Sequence, residues 1–316
     1  MSEIAASEEL QVVFGTGPVG LAVMRELHAK GKRVRMVNRS GNAGLPEGIE
    51  LVAGDASDRA FAREAATDAR VVYDCLNPPY NKWPELFPRL QASVTDAAAA
   101  AEARLVVMDN LYMYGPTGGK PLTEKTPYLA TTRKGRTRAR MAEDLMKAHT
   151  KGKVRVAVGR ASDFFGPGVL VSAMGAQVFK PVLRGKAAGV LGNPDLSHTY
   201  SYVPDIGRAL VLLGEREEAL GEVWHLPSAE AVSTRDLVAM MFAEVGKKPK
   251  LRAAPKPMLR FVGVFNPMVR EVIEMLYEFE EPFIMDDSKF TNAFGYISTP
   301  LPQAVQATVD WFRVNQ

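Results

Sequence analysis

The 316-residue sequence has little of several residue types and patterns that mark whole classes of protein. Its single cysteine, Cys75, excludes a disulfide framework and any zinc site built from several cysteines. Its four histidines are scattered without metal-ligand spacing, so we expect no bound metal. Lys and Arg (39) nearly balance Asp and Glu (36), which is not the charge of a dedicated nucleic-acid binder.

Long apolar runs are also missing, and none approaches the ~18–20 residues needed to span a bilayer. The first ten residues carry three glutamates and lack the basic and apolar regions of a secretory signal. We therefore expect no membrane partner and a cytoplasmic, reducing location. The chain is 47% hydrophobic and 24% charged, as packed globular proteins are, and its length suggests about two domains.

Short apolar stretches alternate with segments of helical periodicity along the first half of the chain. Such alternation predicts βαβ crossovers and a parallel sheet covered by helices on both faces. The predicted strands are Leu10–Phe14, Arg33–Val37, Glu50–Val52, Arg70–Cys75, Arg104–Met108 and Val154–Val158, and the predicted helices are Val19–Ala29, Asp58–Ala66, Trp83–Ala103 and Thr132–Lys151.

A glycine-rich turn joins the first predicted strand to the first predicted helix. In a GxGxxG turn, the first glycine permits a tight turn, the second lets the backbone approach a pyrophosphate, and the third lets helix and strand pack closely. The helix N-terminus favours an anion through its unpaired N–H groups and its dipole. The turn predicts the dinucleotide site of a doubly wound Rossmann sheet, formed by Gly15, Thr16, Gly17, Pro18, Val19 and Gly20.

The end of the second strand decides between the two nicotinamide dinucleotides. A sheet that binds NAD usually has an Asp or Glu there to bind the ribose 2′-OH. This chain has Asn38, Arg39 and Ser40. Arg39 can bind a 2′-phosphate through a forked, charge-assisted hydrogen bond, and the other two side chains can add neutral ones. We expect NADP(H) as the cofactor; a solvated loop arginine is the alternative.

Further candidate cofactor contacts follow the third and fourth strands, because ligands of such sheets bind at the carboxyl ends of the strands. Asp55, with Ala56 beside it, can accept from an adenine amino group; a turn or a helix cap is a compatible role for this aspartate. Asn77 follows the fourth strand. Cys75 is expected to be a buried small apolar residue rather than a nucleophile.

The character of the sequence changes after Gly166-Pro167. Met, Phe and Pro are frequent between Lys247 and Pro282, which predicts a smaller, mainly helical substrate lobe. We predict a dinucleotide-binding domain over 1–168 and a substrate lobe over 169–316. A segment near 197–227 is predicted to return to the first domain, because Val223–Leu226 has the pattern of a strand.

Several stretches, taken in order, resemble the extended or atypical short-chain dehydrogenases/reductases of the NAD-dependent epimerase/dehydratase type. The resemblance covers nearly the whole chain and implies a Rossmann fold, a nicotinamide cofactor, hydride-transfer chemistry and, in many members, a homodimer. The stretches are GTGPVG (15–20), GDASD (54–58), VVMDNLYMYGP (106–116), RKGRTRARMAEDL (133–145), GRASDFFGPG (159–168), TYSYVPDIGRALVLLG (199–214) and FGYISTPLPQAVQATVDWF (294–312).

The resemblance breaks at the residues that carry the family's chemistry. The family has a Ser or Thr five residues before the glycine of its Tyr-Gly strand end, and a YxxxK on the next helix. Its tyrosine donates a proton and its lysine holds the ribose. Alignment puts Asn110 at the first position, Lys134 at that of the tyrosine and Arg138 at that of the lysine.

Three interpretations of this altered centre stay open. In the first, Lys134 is the proton donor and a cofactor contact, and Arg138, four residues on, eases release of the proton by like-charge repulsion. Asn110 then donates to the substrate oxygen, and Tyr112 is a second candidate acid. In the second, hydride goes to an activated alkene or imine that needs little acid. In the third, the protein binds NADP(H) without turnover, as a sensor.

The basic run over 133–140 resembles a nucleic-acid patch, but the balanced charge favours a solvated face with cofactor contacts, and we expect no nucleic-acid partner. Asp163 and Phe164 follow the sixth strand, where the resemblance places the substrate, and Ala161 precedes them as a cofactor contact. A carboxylate there is unfavourable for a nucleotide diphosphate. Tyr80 and Trp83 are candidate apolar walls.

These residues predict an NADP(H)-dependent oxidoreductase that acts on a small, fairly apolar carbonyl, enone or imine compound. A nucleotide-sugar epimerase or dehydratase is the alternative enzyme, and a sensor is the alternative without turnover.

Overall fold

The structure is a computed structural model that describes residues 7–254, 256–265, 267–295 and 298–315. Outside these ranges lie Tyr296 and Ile297, which belong to the last stretch that resembles the family. The first six residues, for which we predicted no secretory signal, also lie outside them. In the described chain the strands are β1 (Ser7–Phe14), β2 (Lys32–Asn38), β3 (Glu50–Ala53), β4 (Ala69–Asp74), β5 (Arg104–Asp109), β6 (Arg155–Arg160), β7 (Asp163–Phe165), β8 (Ala188–Leu191), β9 (Ser197–His198), β10 (Tyr200–Tyr202), β11 (Val223–His225), β12 (Val232–Ser233) and β13 (Leu251–Ala254).

The helices connect these strands in the predicted alternation. They are α1 (Pro18–Ala29), α2 (Arg59–Ala65), α3 (Trp83–Ala100), α4 (Arg133–Thr150), α5 (Ala176–Leu183), α6 (Val203–Glu215), α7 (Thr234–Glu244), α8 (Lys256–Phe265), α9 (Pro267–Ile273), α10 (Ser288–Phe294) and α11 (Leu301–Val314), with 3-10 turns at Tyr80–Lys82, Glu217–Ala219 and Leu276–Phe279.

A seven-stranded sheet in the order β11-β6-β5-β4-β1-β2-β3 organises the first half of the chain. Strands β1 to β6 pair in parallel, with Val12 opposite both Arg35 and Val72. A parallel strand is covered on both faces, which is why its residues form near-continuous apolar runs. The predicted doubly wound α/β fold is confirmed.

The predicted boundaries differ from the observed ones by a few residues. Helix α3 ends at Ala100 rather than at Ala103, because Glu102 has a φ of 52° and the chain turns there to enter β5. Strand β6 runs to Arg160, two residues beyond the predicted end, so that it pairs with β5 as far as Asp109.

The chain divides into two interleaved compact units. Unit 1 comprises Met1–Asp109, Thr137–Arg160 and Ile206–Trp224, and unit 2 comprises Asn110–Arg136, Ala161–Asp205 and His225–Gln316. The chain thus passes between units more often than the predicted division at 168 allows. Segments 110–136 and 161–168, which we assigned to the dinucleotide domain, belong to unit 2, and the returning segment is 206–224.

Unit 1 has its core between the parallel sheet and its helices. Val12, Val72 and Leu105 are fully or almost fully buried and pack in one cluster with Val94 and Ala97 of α3. At about 25 cal/mol per Å² of apolar surface removed from water, such a cluster is the main stabilising contribution of this unit.

Unit 2 combines helices with three two-stranded sheets, β10-β7, β12-β9 and β13-β8, which the expectation of a mainly helical lobe did not include. Its core contains Phe165 of β7 and Phe242 of α7, and Phe179 and Phe312 stack with ring centroids 4.9 Å apart. Strands of two to four residues carry too little periodicity to be recognised in a sequence.

Candidate functional site

The predicted glycine turn has the geometry that only glycine permits at two of its positions. Gly15 has a φ of +105°, and a Cβ there would lie 2.7 Å from the carbonyl oxygen of Cys75. A Cβ on Gly20 would lie 2.0 Å from the carbonyl oxygen of Gly15. The first and third glycines are therefore required for the close passage of β1, α1 and the end of β4.

Gly17, the second glycine of the turn, is not closely packed as Gly15 and Gly20 are. It is exposed, and a Cβ on it would meet nothing within 4 Å. Gly17 is the N-cap of α1 without a side-chain cap hydrogen bond, and Pro18 is the first helical residue. The open backbone and the uncapped helix N-terminus fit the pyrophosphate of a dinucleotide, which would be bound by N–H groups and the helix dipole.

The loop after β2 is organised by Asn38. Its Nδ2 donates to Thr16 Oγ1 at 3.0 Å and its Oδ1 accepts from Gly41 N at 2.8 Å. Ser40 Oγ donates to the Asn42 carbonyl at 3.1 Å. Asn38 and Ser40 therefore hold the loop itself, while Arg39 is exposed at the carboxyl end of β2.

Asp55, Ala56 and Asn77 follow the carboxyl ends of β3 and β4. Asp55 accepts from Ser57 N at 2.9 Å, and this bond, the Ser57 hydroxyl, and the charges of Arg39 and Arg89 lower the pKa of Asp55. The cap of α2 is Asp58, so of the two compatible local roles for Asp55 the structure has the turn. Ala56 is buried and Asn77 exposed.

The thiol of Cys75 is buried, and burial raises its pKa. It is a packing residue below the turn, as expected.

Arg138, which the sequence analysis placed at the position of the family's ribose-binding lysine, lies in a buried ion-pair network of unit 1. Its guanidinium is ion-paired with Asp109, with Nε 2.9 Å from Oδ1. Arg160, which is fully buried, donates from Nε to the other carboxylate oxygen at 3.1 Å. Burial raises the pKa of nearby Asp74 to about 6, although a hydrogen bond from the Leu76 N–H and the charge of Arg138 act to lower it.

Aromatic rings complete the surroundings of Arg138. Its Cζ lies 4.3 Å from the Phe87 ring centroid and 5.8 Å from that of Trp83, within the range of cation–π attraction. Trp83 is buried, donates to the Pro78 carbonyl at 3.1 Å, and meets Tyr80 edge to face at 5.1 Å. These two predicted wall residues therefore belong to the packing at the start of α3.

The remaining catalytic candidates lie together in unit 2. Asn110 Oδ1 accepts from Tyr112 N at 3.2 Å, which orients the amide. The Tyr112 carbonyl oxygen is 2.7 Å from where a Cβ of Gly135 would be. The absence of a side chain at 135 thus lets the 110–112 loop pack directly on the first turn of α4, next to Lys134.

Lys134 is fully buried and bound by two carboxylates. Its Nζ is ion-paired with Glu271, lies 2.9 Å from Glu274 Oε2, and lies 3.4 Å from the Glu271 carbonyl. Glu274 Oε1 also accepts the backbone N–H of Lys134 at 2.7 Å. In one of the three interpretations from the sequence, Arg138 influenced Lys134 by like-charge repulsion. The sequence did not indicate that both cations have carboxylate partners of their own, Asp109 for Arg138 and Glu271 with Glu274 for Lys134.

The sequence analysis did not identify Glu271 and Glu274 as partners of Lys134, because they lie 137 and 140 residues beyond it in the chain. The signal was two acids three residues apart, Glu271 and Glu274, inside the Met- and Phe-rich stretch. Burial opposes ionisation of Glu271, but hydrogen bonds from Lys134 and Arg133 outweigh it and lower its pKa.

The predicted substrate residues after β6 lie in unit 2. Asp163 Oδ2 is 2.9 Å from His198 Nε2, whose ring stacks on Phe279 at 4.9 Å and on Tyr200 at 4.6 Å. Phe164 is half-buried and Ala161 is fully buried. The carboxylate at 163 is therefore engaged by a histidine that the sequence had left unassigned.

The described ranges contain neither a candidate metal-binding cluster nor a helix that could cross a membrane. No three His, Cys, Asp or Glu side chains there are placed to hold a metal. No helix in those ranges is both long and apolar enough to cross a membrane.

The model of the NAD dependent epimerase/dehydratase family matches residues 12–226, which is more than half of the chain. A search of the curated proteins found no significant match.

Solved structures give the same fold. The Bordetella bronchiseptica enzyme WbmH in complex with NAD+ is 17% identical, with a TM-score of 0.76 over 96% of this chain and 98% of that one. The dTDP-glucose 4,6-dehydratase of Bacillus anthracis in complex with NAD is 14% identical, with a TM-score of 0.79 over 98% and 97%. The UDP-N-acetylglucosamine 4-epimerase of Bacillus cereus is 14% identical, with a TM-score of 0.77 over 97% of both chains.

Proposed function

The chain belongs to the NAD dependent epimerase/dehydratase family, and from that premise we propose that it is an NADP(H)-dependent oxidoreductase. Its proposed substrate is a small, fairly apolar carbonyl, enone or imine compound. A bound nicotinamide would supply or accept the hydride, and the residues of the chain would bind, orient and protonate.

One observation carries the proposal: an exposed Arg39 directly follows β2, and its two neighbours in the sequence, Asn38 and Ser40, carry no carboxylate. A carboxylate there would bind a ribose 2′-OH and repel a 2′-phosphate, whereas a guanidinium forms forked hydrogen bonds with a phosphate. Asn38 supports this arrangement by fastening the loop to Thr16. The uncapped N-terminus of α1 after Gly17 supports a dinucleotide pyrophosphate next to it.

The cofactor part is tested by titrating the protein with NADPH and with NADH. Removal of a charged hydrogen bond costs about 1.5–3 kcal/mol, so Arg39→Ala should weaken NADPH binding about 10- to 100-fold and leave NADH binding unchanged. Arg33→Ala is the matched control, because Arg33 is an exposed arginine at the opposite end of the same strand. Equal affinity of Arg39→Ala and wild type for NADPH would refute the role of Arg39.

For the reaction, the candidate proton donor is Lys134, with Asn110 as the hydrogen-bond donor to the substrate oxygen and Tyr112 as the second candidate acid. The packing of the 110–112 loop on the first turn of α4 supports a shared role for these residues. A lysine ammonium can protonate the oxygen that becomes an alcohol when a carbonyl is reduced. NADPH consumption against a panel of aldehydes, ketones, enones and imines tests this part.

Nucleotide-sugar epimerisation or dehydration is the second candidate, because epimerases and a dehydratase are among the structural neighbours. An epimerase must oxidise and then reduce its substrate, and the alignment places Lys134 where the family has its proton-donating tyrosine, which counts against this candidate. Turnover of a UDP- or dTDP-sugar without net NADPH consumption would favour this candidate.

A third candidate, a dinucleotide-responsive regulator, is favoured by one observation. Lys134 and Arg138, which replace the family's catalytic pair, are both buried in ion pairs. Tight NADPH binding without turnover of any compound in the carbonyl and sugar panels would favour the regulator.

A further inference from the structure

We propose that Glu271 and Glu274 are positioning residues that keep Lys134 charged and hold its ammonium group at the start of α4. The inference rests on the proposed function, since Glu271 and Glu274 assist the reaction only if Lys134 is its proton donor. Neither glutamate corresponds to a residue of the altered YxxxK motif.

The first argument is geometric. Two carboxylates bind one Nζ, and one of them, Glu274, also accepts the backbone N–H of the same residue. Side chain and backbone of Lys134 are therefore fixed by one short segment, which runs from Glu271 in the last turn of α9 to Glu274 directly after the helix. An arrangement that only neutralised a charge would not need the second bond to the backbone.

The second argument is charge balance. Glu271 also binds Arg133 through two bonds of 2.9 Å, so that Arg133, Lys134, Glu271 and Glu274 form a cluster without formal net charge. The Lys134 side chain has no exposed surface, and those of Glu271 and Glu274 are 15% and 18% exposed. An ammonium without water is stable only beside anions, and removal of either anion favours the neutral amine.

The consequence for a reduction is a defined proton cycle. Lys134 would give one proton to the substrate oxygen as the hydride arrives at carbon, and the amine would regain a proton from solvent through the partly exposed carboxylates of Glu271 and Glu274 that contact it. Two adjacent carboxylates favour that return, because each of them attracts the positive charge of the ammonium form. Activity should then decline on the alkaline side at a pH that Glu271 and Glu274 set.

The test is a pH titration of the full-length protein, without dinucleotide, by NMR of 13C-labelled lysine. The Lys134 signal is assigned by its absence in Lys134→Arg. Glu271→Gln and Glu274→Gln keep side-chain shape and remove one charge each. Glu280→Gln is the control, since Glu280 pairs with Lys256 and not with Lys134.

The expected result is that the midpoint of the Lys134 titration falls by about 1 to 3 pH units in Glu271→Gln and in Glu274→Gln, and is unchanged in Glu280→Gln. The alkaline limb of NADPH turnover should move by the same amount. A Lys134 midpoint that stays in place in both variants would overturn the inference, and so would a turnover limb that stays in place while the midpoint moves. Absence of turnover in the wild type, with the midpoint shift present, would instead contradict the proposed enzyme and favour the regulator.

Discussion

Glu278 places a carboxyl group in the interior of unit 2, and its replacement by glutamine should make stability less dependent on pH. The residue is 2% exposed, and its Oε1 is buried without a hydrogen-bond partner in the described structure. Burial, together with the charge of Asp163, raises the pKa of Glu278 well above its usual 4.5. Over a range of pH the folded protein therefore holds a proton that the unfolded chain has lost.

The sign of the effect follows from that proton. Below pH 4.5 both states hold it and the contribution to stability is fully present. Between 4.5 and the folded pKa, the free energy of unfolding falls as pH rises, with a slope approaching 2.303RT, or about 1.4 kcal/mol per pH unit. Above the folded pKa the contribution is lost. Glu278→Gln removes this titration. The free energy of unfolding of the variant should therefore rise, relative to that of the wild type, by about 1.4 kcal/mol per pH unit over this range.

The measurement is urea unfolding of wild type and Glu278→Gln at intervals between about pH 5 and pH 8, followed by tryptophan fluorescence. Asp74 and Asp287, whose pKa values are also raised by burial, are present in both proteins and cancel in the difference. Glu230→Gln, at an exposed position of the same unit, is the control and should give a constant difference. A constant difference for Glu278→Gln as well would show that Glu278 ionises in the folded protein and would refute the burial argument.

Three further predictions concern the two candidate sites. Gly17→Ala should weaken NADPH binding without lowering Tm, because a Cβ there meets only the space for the ligand, whereas Gly20→Ala should lower Tm, because its Cβ lies 2.0 Å from the Gly15 carbonyl oxygen; equal Tm losses would contradict the distinction. Asp109→Asn leaves Arg138 and Arg160 buried without their carboxylate and should cost about 3–5 kcal/mol in urea unfolding, while Asp195→Asn, at an exposed pair with Arg235, should leave stability nearly unchanged. Lys134→Ala should abolish NADPH turnover; full activity of this variant would exclude Lys134 as the proton donor.

The sequence was sufficient to predict the dinucleotide end of the protein because the determinants there are local. Gly15 and Gly20 are needed for steric reasons that involve only the turn and the adjacent strand end. The strands of the parallel sheet are apolar runs between helical segments, and periodicity of that kind is visible without knowledge of the partners. Boundaries were missed by a few residues, as at Glu102, where a single left-handed residue ends α3 early.

The altered centre shows the opposite case. The sequence identified Lys134 and Arg138 as substitutions in the family's motif, but it assigned their electrostatic influence to each other because they are neighbours on one helix. The fold gives each of them a carboxylate partner from a distant part of the chain: Asp109 for Arg138, and Glu271 with Glu274 for Lys134. Spacing along a helix predicts which side chains of that helix are neighbours on its surface. It does not predict which buried carboxylate from another segment packs against them.

The sequence by itself thus determined the parallel sheet, the glycine turn and the family to which the chain belongs. Only the tertiary structure decided the bounds of the two interleaved units, the pairing of Asp163 with His198, and the charge environment of Lys134. The physical reason is range: backbone sterics and hydrophobic periodicity act within a few residues. Buried charges are stabilised by whichever opposite charges the folded chain brings within about 3 Å, at any separation in sequence.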